Sequence, residues 1–189
     1  MSKPLPVSFY NRPTLTVARE LLGARLVRVQ NGQRLVGEII ETEAYIGETD
    51  LGCHAKAGKT ARTAVMYGRA GIAYVYFTYG MHWMLNAVAE AEGFPSAVLI
   101  RAIHPLEGVD IISKRRGGRD TKGPAKLTQA LGIDRSLNGH DLTCPNSEMW
   151  IEAGIPIPDK RVTIGPRVGL YSVPEPWKSK PWRFRANHQ

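Results

Sequence analysis

Residues 33–45 read Gln-Arg-Leu-Val-Gly-Glu-Ile-Ile-Glu-Thr-Glu-Ala-Tyr, and Asn31-Gly32 separates them from a second strand-like run at 24–30. Both turn residues tolerate positive φ, so the dipeptide predicts a type I′ hairpin joining two antiparallel strands. Side chains in a strand alternate faces, which sends Glu41, Glu43 and Tyr45 to one side with Leu35 and Ile39 behind them. A carboxylate among aliphatics is costly unless it is paired. On this stretch alone, a salt-bridged glutamate pair at the strand's exit from the core explains the pattern as well as a reactive group does.

Outward from the hairpin, Pro13-Thr14-Leu15-Thr16 leads into a short helix whose apolar positions 15, 18, 21 and 22 share one face, stopped at Gly23. Downstream, 47–71 is an irregular stretch, and a loop of that length in a compact fold usually carries function. Residues 72–78, rich in Val, Tyr and Phe, predict a strand that turns at Tyr79-Gly80 and returns over 82–88. A third apolar strand at 97–104 carries Arg101. Helices follow over 107–114 and from Pro124 to Gly132, with Pro suited to the first helical position and Gly to the end. Further strands are expected near 148–151, at 162–164 and at 182–185. The expected fold is α+β: a single mixed domain over 1–189, with a curved, largely antiparallel β-sheet, short peripheral helices and a protruding β-hairpin.

The 189 residues, 43% hydrophobic and 22% charged, suit one globular core. No segment approaches the roughly 18 apolar residues of a spanning helix. Residues 1–6 lack the apolar centre of a secretory signal, so an intracellular protein is expected, cytoplasmic or at the nucleoid in a bacterium. Cys53 and Cys144 form no metal-ligand spacing and predict no disulfide. The net charge of +8 is unevenly spread. No acid lies between Asp50 and Glu90, a span holding Lys56, Lys59, Arg62 and Arg69. A second cluster runs through Lys114, Arg115, Arg116, Arg119, Lys122 and Lys126, and a third through Arg161, Arg167, Lys178, Lys180, Arg183 and Arg185. Such clusters suit a polyanion, and nucleic acid above all.

Period two places Tyr74 and Tyr76 on one face of their strand and Val75 and Phe77 on the other. Tyr79, a large ring at a hairpin tip beside Gly80, is suited to wedging between stacked bases. Tyr45 and Tyr76 could supply faces for a flipped base, worth roughly 1–3 kcal/mol per stacked base, and His54 a hydrogen bond. Glu43 is the residue type that can stabilise oxocarbenium character at a sugar and deprotonate an attacking water. Asn86 and Arg101, polar residues in apolar strands, could complete such a pocket.

The blocks VGEIIETEAY (36–45), YVYFTYGMHWMLN (74–86), VLIRAIHPLEG (98–108), GPAKLTQALG (123–132) and RVG (167–169) together resemble the alkyladenine (3-methyladenine) DNA glycosylase family, in the family's order and across nearly the whole chain. The resemblance implies a monofunctional glycosylase of base excision repair. It would act on duplex DNA carrying alkylated purines such as 3-methyladenine and 7-methylguanine, and deaminated or etheno purines, with no metal, no organic cofactor and no membrane. By position within the motifs, Glu43 would be the general base. Tyr45, His54, Tyr76, Asn86 and Arg101 would line the base pocket, and Tyr79 and Met66 would intercalate into the duplex. A monomer is implied. The fold also resembles the C-terminal module of formyltransferases, so a non-catalytic nucleic-acid-binding domain is the alternative, with a metal-free nuclease third.

Overall fold

Asn31 and Gly32 both take positive φ, 52° and 74°, and the turn they close joins β1 (Arg25–Gln30) to β2 (Gln33–Ile46), paired antiparallel with Gln30 opposite Gln33. The computed structural model describes residues 3–145 and 147–187. Met1 and Ser2, which open the N-terminal stretch considered for a signal, lie outside the described residues. Around β2 the chain adds β3 (Ala73–Thr78), β4 (His82–Val88), β5 (Ser96–Glu107), β6 (Met149–Glu152), β7 (Val162–Gly165) and β8 (Arg183–Ala186). The strand order is β3-β4-β5-β2-β1-β6, with β8 pairing both β2 and β7, and every strand pairing is antiparallel. This curled sheet with few helices is the α+β architecture expected from the sequence.

β2 is the longest strand and is held on both sides: β5 runs beside nearly all of it, while β1 pairs its first half and β8 its residues Glu41, Thr42 and Glu43. Its pleat does not alternate unbroken, as the sequence suggested. The pairing with β5 is irregular between Ile39 and Thr42. Leu35, Ile39, Ile40 and Ala44 all join the main core, and the Thr42 hydroxyl donates to the Ala18 carbonyl on that same side. Glu41, Glu43 and Tyr45 therefore face away from Leu35 and Ile39. A bulge swaps faces in this way because one irregular step shifts the period-two count. β5 changes over at the same place: Ile100 and Ile103 both enter the core, three residues apart.

The helices α1 (Val7–Tyr10), α2 (Thr14–Glu20), α3 (Val109–Arg116) and α4 (Pro124–Leu131) cover the core face of the sheet with Tyr10, Val17, Ala18, Ile112, Leu127 and Leu131. Each fully buried valine, isoleucine or leucine among them is worth about 1.5–3 kcal/mol. α2 has no capping side chain of its own at Pro13. Glu90 supplies the cap from the β4–β5 connection, accepting the Thr14 N–H at 3.0 Å and its hydroxyl as well, where a negative charge also suits the helix dipole. The helix expected over 107–114 starts later, because β5 continues to Glu107 opposite Val36 and Gly108 turns the chain at φ 66°. Within 47–71 the backbone makes two short 3-10 turns, His54–Ala57 and Ala64–Tyr67. No helix among the described residues is long and apolar enough to cross a membrane.

Gly37 faces the Ile103 side chain at close range: a Cβ there would lie 2.8 Å from the Ile103 Cβ and 2.5 Å from its Cδ1. Gly37→Ala should destabilise the fold by about 1–3 kcal/mol through overpacking, measured by chemical denaturation. An unchanged unfolding midpoint would show that β5 gives way freely at this point.

Candidate active site

The irregular step in β2 and β5 delivers Tyr45, Leu99 and Arg101 to the face opposite the main core. Tyr74 and Tyr76 of β3 and Asn86 of β4 reach the same face by ordinary alternation. There they line a cavity of about 340 Å³, with His54 and Met66 from the 47–71 stretch on one side and Val168, Gly169 and Leu170 on another. Behind the cavity lies a second small core of Cys53, Ala55, Met66, Tyr74, Val88 and Ala97. Cys53 fills space there and accepts the Ala55 N–H. Burial pushes its thiol up to about 12, so it stays protonated.

Glu43 is completely buried. Its Oε1 accepts the Val168 N–H at 2.7 Å, its Oε2 accepts the Tyr45 hydroxyl at 2.8 Å, and the Arg101 guanidinium lies 3.4 Å from Oε2. Arg101 also donates to Glu41 at 3.0 Å, and Arg183 comes within 3.7 Å of Glu41. The two glutamates thus differ in the opposite sense to their order along the strand, since Glu41 is the partly exposed one. Burial raises the Glu43 pKa, opposed by Arg101, the Val168 N–H and the Tyr45 hydroxyl. Tyr45, buried beside that carboxylate, is held well above the usual phenol range and remains a donor. For Arg101, burial opposes the charge, yet Glu43 and Glu41 outweigh it and keep the guanidinium charged.

The aromatic residues form a connected wall. The Tyr74 and Tyr76 ring centroids lie 5.2 Å apart, and His54 meets Tyr76 edge-on at 4.5 Å. The His54 Nδ1 lies 3.1 Å from the Tyr74 hydroxyl, and Arg62 approaches its Nε2 at 3.5 Å. Arginine only donates, so Nε2 is the acceptor and Nδ1–H points at Tyr74. Burial, with Arg62 and then Lys56 nearby, lowers the His54 pKa to about 4 and leaves the ring neutral. Asn86 donates through Nδ2 to the Tyr74 carbonyl at 3.0 Å. Each of Tyr45 and Tyr76 also has a guanidinium over its ring: Arg167 at 4.7 Å and Arg62 at 5.2 Å.

The β3–β4 tip holds three residues, Tyr79, Gly80 and Met81, between the paired Thr78 and His82, one more than the two-residue turn expected. Tyr79 takes a positive φ of 52° and is 81% exposed, and Met81 beside it is 67% exposed. Met66, the other residue expected to intercalate, is 2% exposed in the second core. Met66 thus packs beside the pocket, away from the tip, where Met81 is the exposed apolar side chain next to Tyr79. The basic clusters also divide. Arg62 is exposed, whereas Arg116 and Arg167 are buried, Arg116 bonded to Gln129 and the Asp120 carbonyl and Arg167 to Asp50.

No residue pattern marked the Val168 N–H, a backbone group, or the partnership between Arg167 and Asp50, which lie 117 positions apart. Tyr74 was legible as a pocket-facing ring by its parity with Tyr76, but not as the partner of His54. Among the described residues no group of His, Cys, Asp and Glu could hold a metal ion.

Residues 8–189 match the family model of methylpurine-DNA glycosylase (MPG). The chain is 50% identical to a Myxococcus xanthus protein over 95% of this chain and 88% of that one, and 48% identical to a Carboxydothermus hydrogenoformans protein over 95% and 93%. A protein of Methanocella arvoryzae is 48% identical over 95% and 90%. All three carry the name "Putative 3-methyladenine DNA glycosylase".

His54 carries the pH dependence of this wall. Between about 6.5 and about 4 the unfolded chain binds a proton at this histidine that the folded chain refuses, so its contribution makes stability fall as pH falls through that window. The NMR titration of the His54 ring should have its midpoint near 4. The melting-temperature advantage of the wild type over His54→Gln should shrink on acidification. A midpoint near the ordinary histidine value would mean that water reaches the ring freely.

Proposed function

The chain belongs to the methylpurine-DNA glycosylase family, and on that premise we propose that it flips alkylated purines, 3-methyladenine and 7-methylguanine above all, out of duplex DNA and hydrolyses their N-glycosidic bond with water activated by Glu43. Family membership makes it a DNA glycosylase of alkylation repair, a hydrolase whose substrate is DNA. The observation that carries the finer reading is the buried Glu43 carboxylate, which contacts the hydroxyl of a pocket tyrosine and the guanidinium of Arg101.

In this mechanism a damaged purine enters the cavity against Tyr45 and Tyr76. The Tyr79 ring, with Met81 beside it, occupies the gap left in the stack. Glu43 is closed to solvent, with Tyr45 and Arg101 on Oε2, so a flipped nucleotide must draw one of them away to admit water. Water oxygen then attacks C1′ as the C1′–N bond breaks. The bonding pair leaves with the base, and the water proton passes to Glu43. Burial makes the carboxylate a stronger base than an exposed one, and Arg101 opposes that rise by favouring the charged form. Arg101 also stands where it can steady water or the adjoining phosphate. Asn86 uses one amide N–H on the Tyr74 carbonyl, which leaves the other N–H and the amide oxygen to test the purine edge. His54, neutral, adds no charge to the pocket, and Arg62 must release its Nε2 before a base can hydrogen-bond there. Among the described residues no lysine lines the cavity, and a mechanism by water needs none.

Two substitutions test separate parts of the mechanism. Glu43→Gln should lower single-turnover release of 3-methyladenine by roughly 10²–10⁴, the range of a positioned general base, while binding to lesion DNA survives; retained excision would sink the assignment. Tyr79→Ser should weaken binding to an abasic-site duplex by about 1–3 kcal/mol, one lost stacking contact, read by fluorescence anisotropy. Equal affinity would make Tyr79 an idle surface ring.

A further inference from the structure

Arg167 is the most completely enclosed cation near the pocket, and its partners share a pattern. Its side chain and that of Asp50 are both fully buried and paired end-on, with contacts of 2.5 and 2.8 Å. The same guanidinium donates to the Ala44 carbonyl at 3.0 Å and to the Trp177 carbonyl at 3.3 Å. It lies over the rings of both Tyr45 and Trp182, at 4.7 and 5.0 Å. Lys180 continues the stack on the far side, 4.3 Å from the Trp182 ring and 3.9 Å from that of Trp177. Asp50 in turn accepts the backbone N–H groups of Ile46 and Gly52. One planar group therefore joins the end of β2, the segment leading to His54, and the segment that starts at Arg167 itself.

Stability alone is a poor explanation for this arrangement. A buried ion pair is often matched or bettered by apolar residues of similar volume, and here the Arg167 Nε has no hydrogen-bond partner among the described residues. What the pair does fix is position. Ala44 follows Glu43 and Val168 follows Arg167, so the guanidinium sets the distance between the Glu43 backbone and the N–H that Glu43 accepts. The rigid fork of arginine can meet a carboxylate and a carbonyl at once, whereas a lysine ammonium is a point charge on a flexible stem.

We propose that Arg167, locked by Asp50, is a positioning residue for base excision: it holds the Val168 N–H on Glu43 Oε1, which leaves Oε2 as the oxygen that takes the proton from water. The proposal rests on the reading of Glu43 as the general base. Arg167 need not touch the substrate. The Val168 N–H is one of the contacts that lower the Glu43 pKa against burial. Displacing it lets that pKa rise, so the carboxylate is protonated at a higher pH and the acid limb of activity moves up.

The experiment is single-turnover excision of 3-methyladenine against pH for Arg167→Lys, Asp50→Asn and Val168→Pro, which deletes the donor itself, and for the double variant Asp50→Asn/Val168→Pro. The acid limb should shift to higher pH in each single variant, and the double variant should shift no further than the larger single one. A merely structural pair would lower the melting temperature and scale the rate with the folded fraction, leaving the limb in place. That result in folded variants overturns the proposal. Should the ion-pair variants fail to fold, Trp182→Leu loosens the stacking and keeps the pair; a smaller upward shift supports the proposal and an unmoved limb overturns it. Glu43→Gln keeps the two ideas apart. Retained excision there refutes the general-base reading, whereas an inactive Glu43→Gln with unmoved limbs refutes only the role of Arg167.

Discussion

A carboxylate held out of water needs partners from several directions, and Glu43 collects them from parts of the chain that are far apart in sequence. Val168 supplies an N–H, Tyr45 a hydroxyl and Arg101 a guanidinium. Burying a carboxylate this fully without them would cost several kcal/mol. The need for those partners explains why β2 is clamped by strands on both sides at Glu41, Thr42 and Glu43, and why the 166–170 segment closes over the end of the sheet. The irregular step shared by β2 and β5 makes the site possible. It turns Glu43, Tyr45 and Arg101 away from the core that Leu35, Ile39 and Ile103 have just filled.

Fold class was legible because its signals are local. Asn31-Gly32 set the central hairpin, and runs of β-branched and aromatic residues marked the strands. Pro124 and Gly132 bracketed α4. The sequence misled where geometry depends on a neighbouring strand. Nothing in Ile39-Ile40-Glu41 announces a broken pleat, since two adjacent isoleucines can both be buried only once the pairing with β5 is known. The strand that continues through Pro105 to Glu107 was hidden for a related reason: Pro weakens a strand signal, and only the pairing of Glu107 with Val36 shows that the ladder persists.

The site divides along the same line. Residue type and period-two spacing pointed to Glu43 with Tyr45, and to Tyr76 with Tyr74, while an aromatic beside a glycine marked the tip. Charge counting worked less well. Arg167 and Arg116 contributed to basic clusters read as a nucleic-acid footprint, yet both are spent on internal partners. A sum of charges cannot see Asp50 closing on Arg167 from more than a hundred positions away. Met66, expected to intercalate, is instead buried in a 3-10 turn beside the pocket, a conformation that its irregular stretch gave no means to foresee.

On the proposed function, the cations around the pocket also bear on how lesions would be told apart. A tyrosine ring attracts a cation through its quadrupole, by about 0.5–1 kcal/mol when exposed and about 2 when desolvated, which would favour a positively charged methylated purine. Tyr45 and Tyr76 each already engage a guanidinium, so part of that attraction is taken before a base arrives. A cationic base compensates through its own chemistry: positive charge weakens its glycosidic bond and makes it a ready leaving group. A neutral purine lacks that help, but enters a wall whose rings are partly neutralised and whose histidine is uncharged. On the proposed mechanism, ground-state affinity would differ less between the two classes, and the larger difference would fall on the bond-breaking step assigned to Glu43.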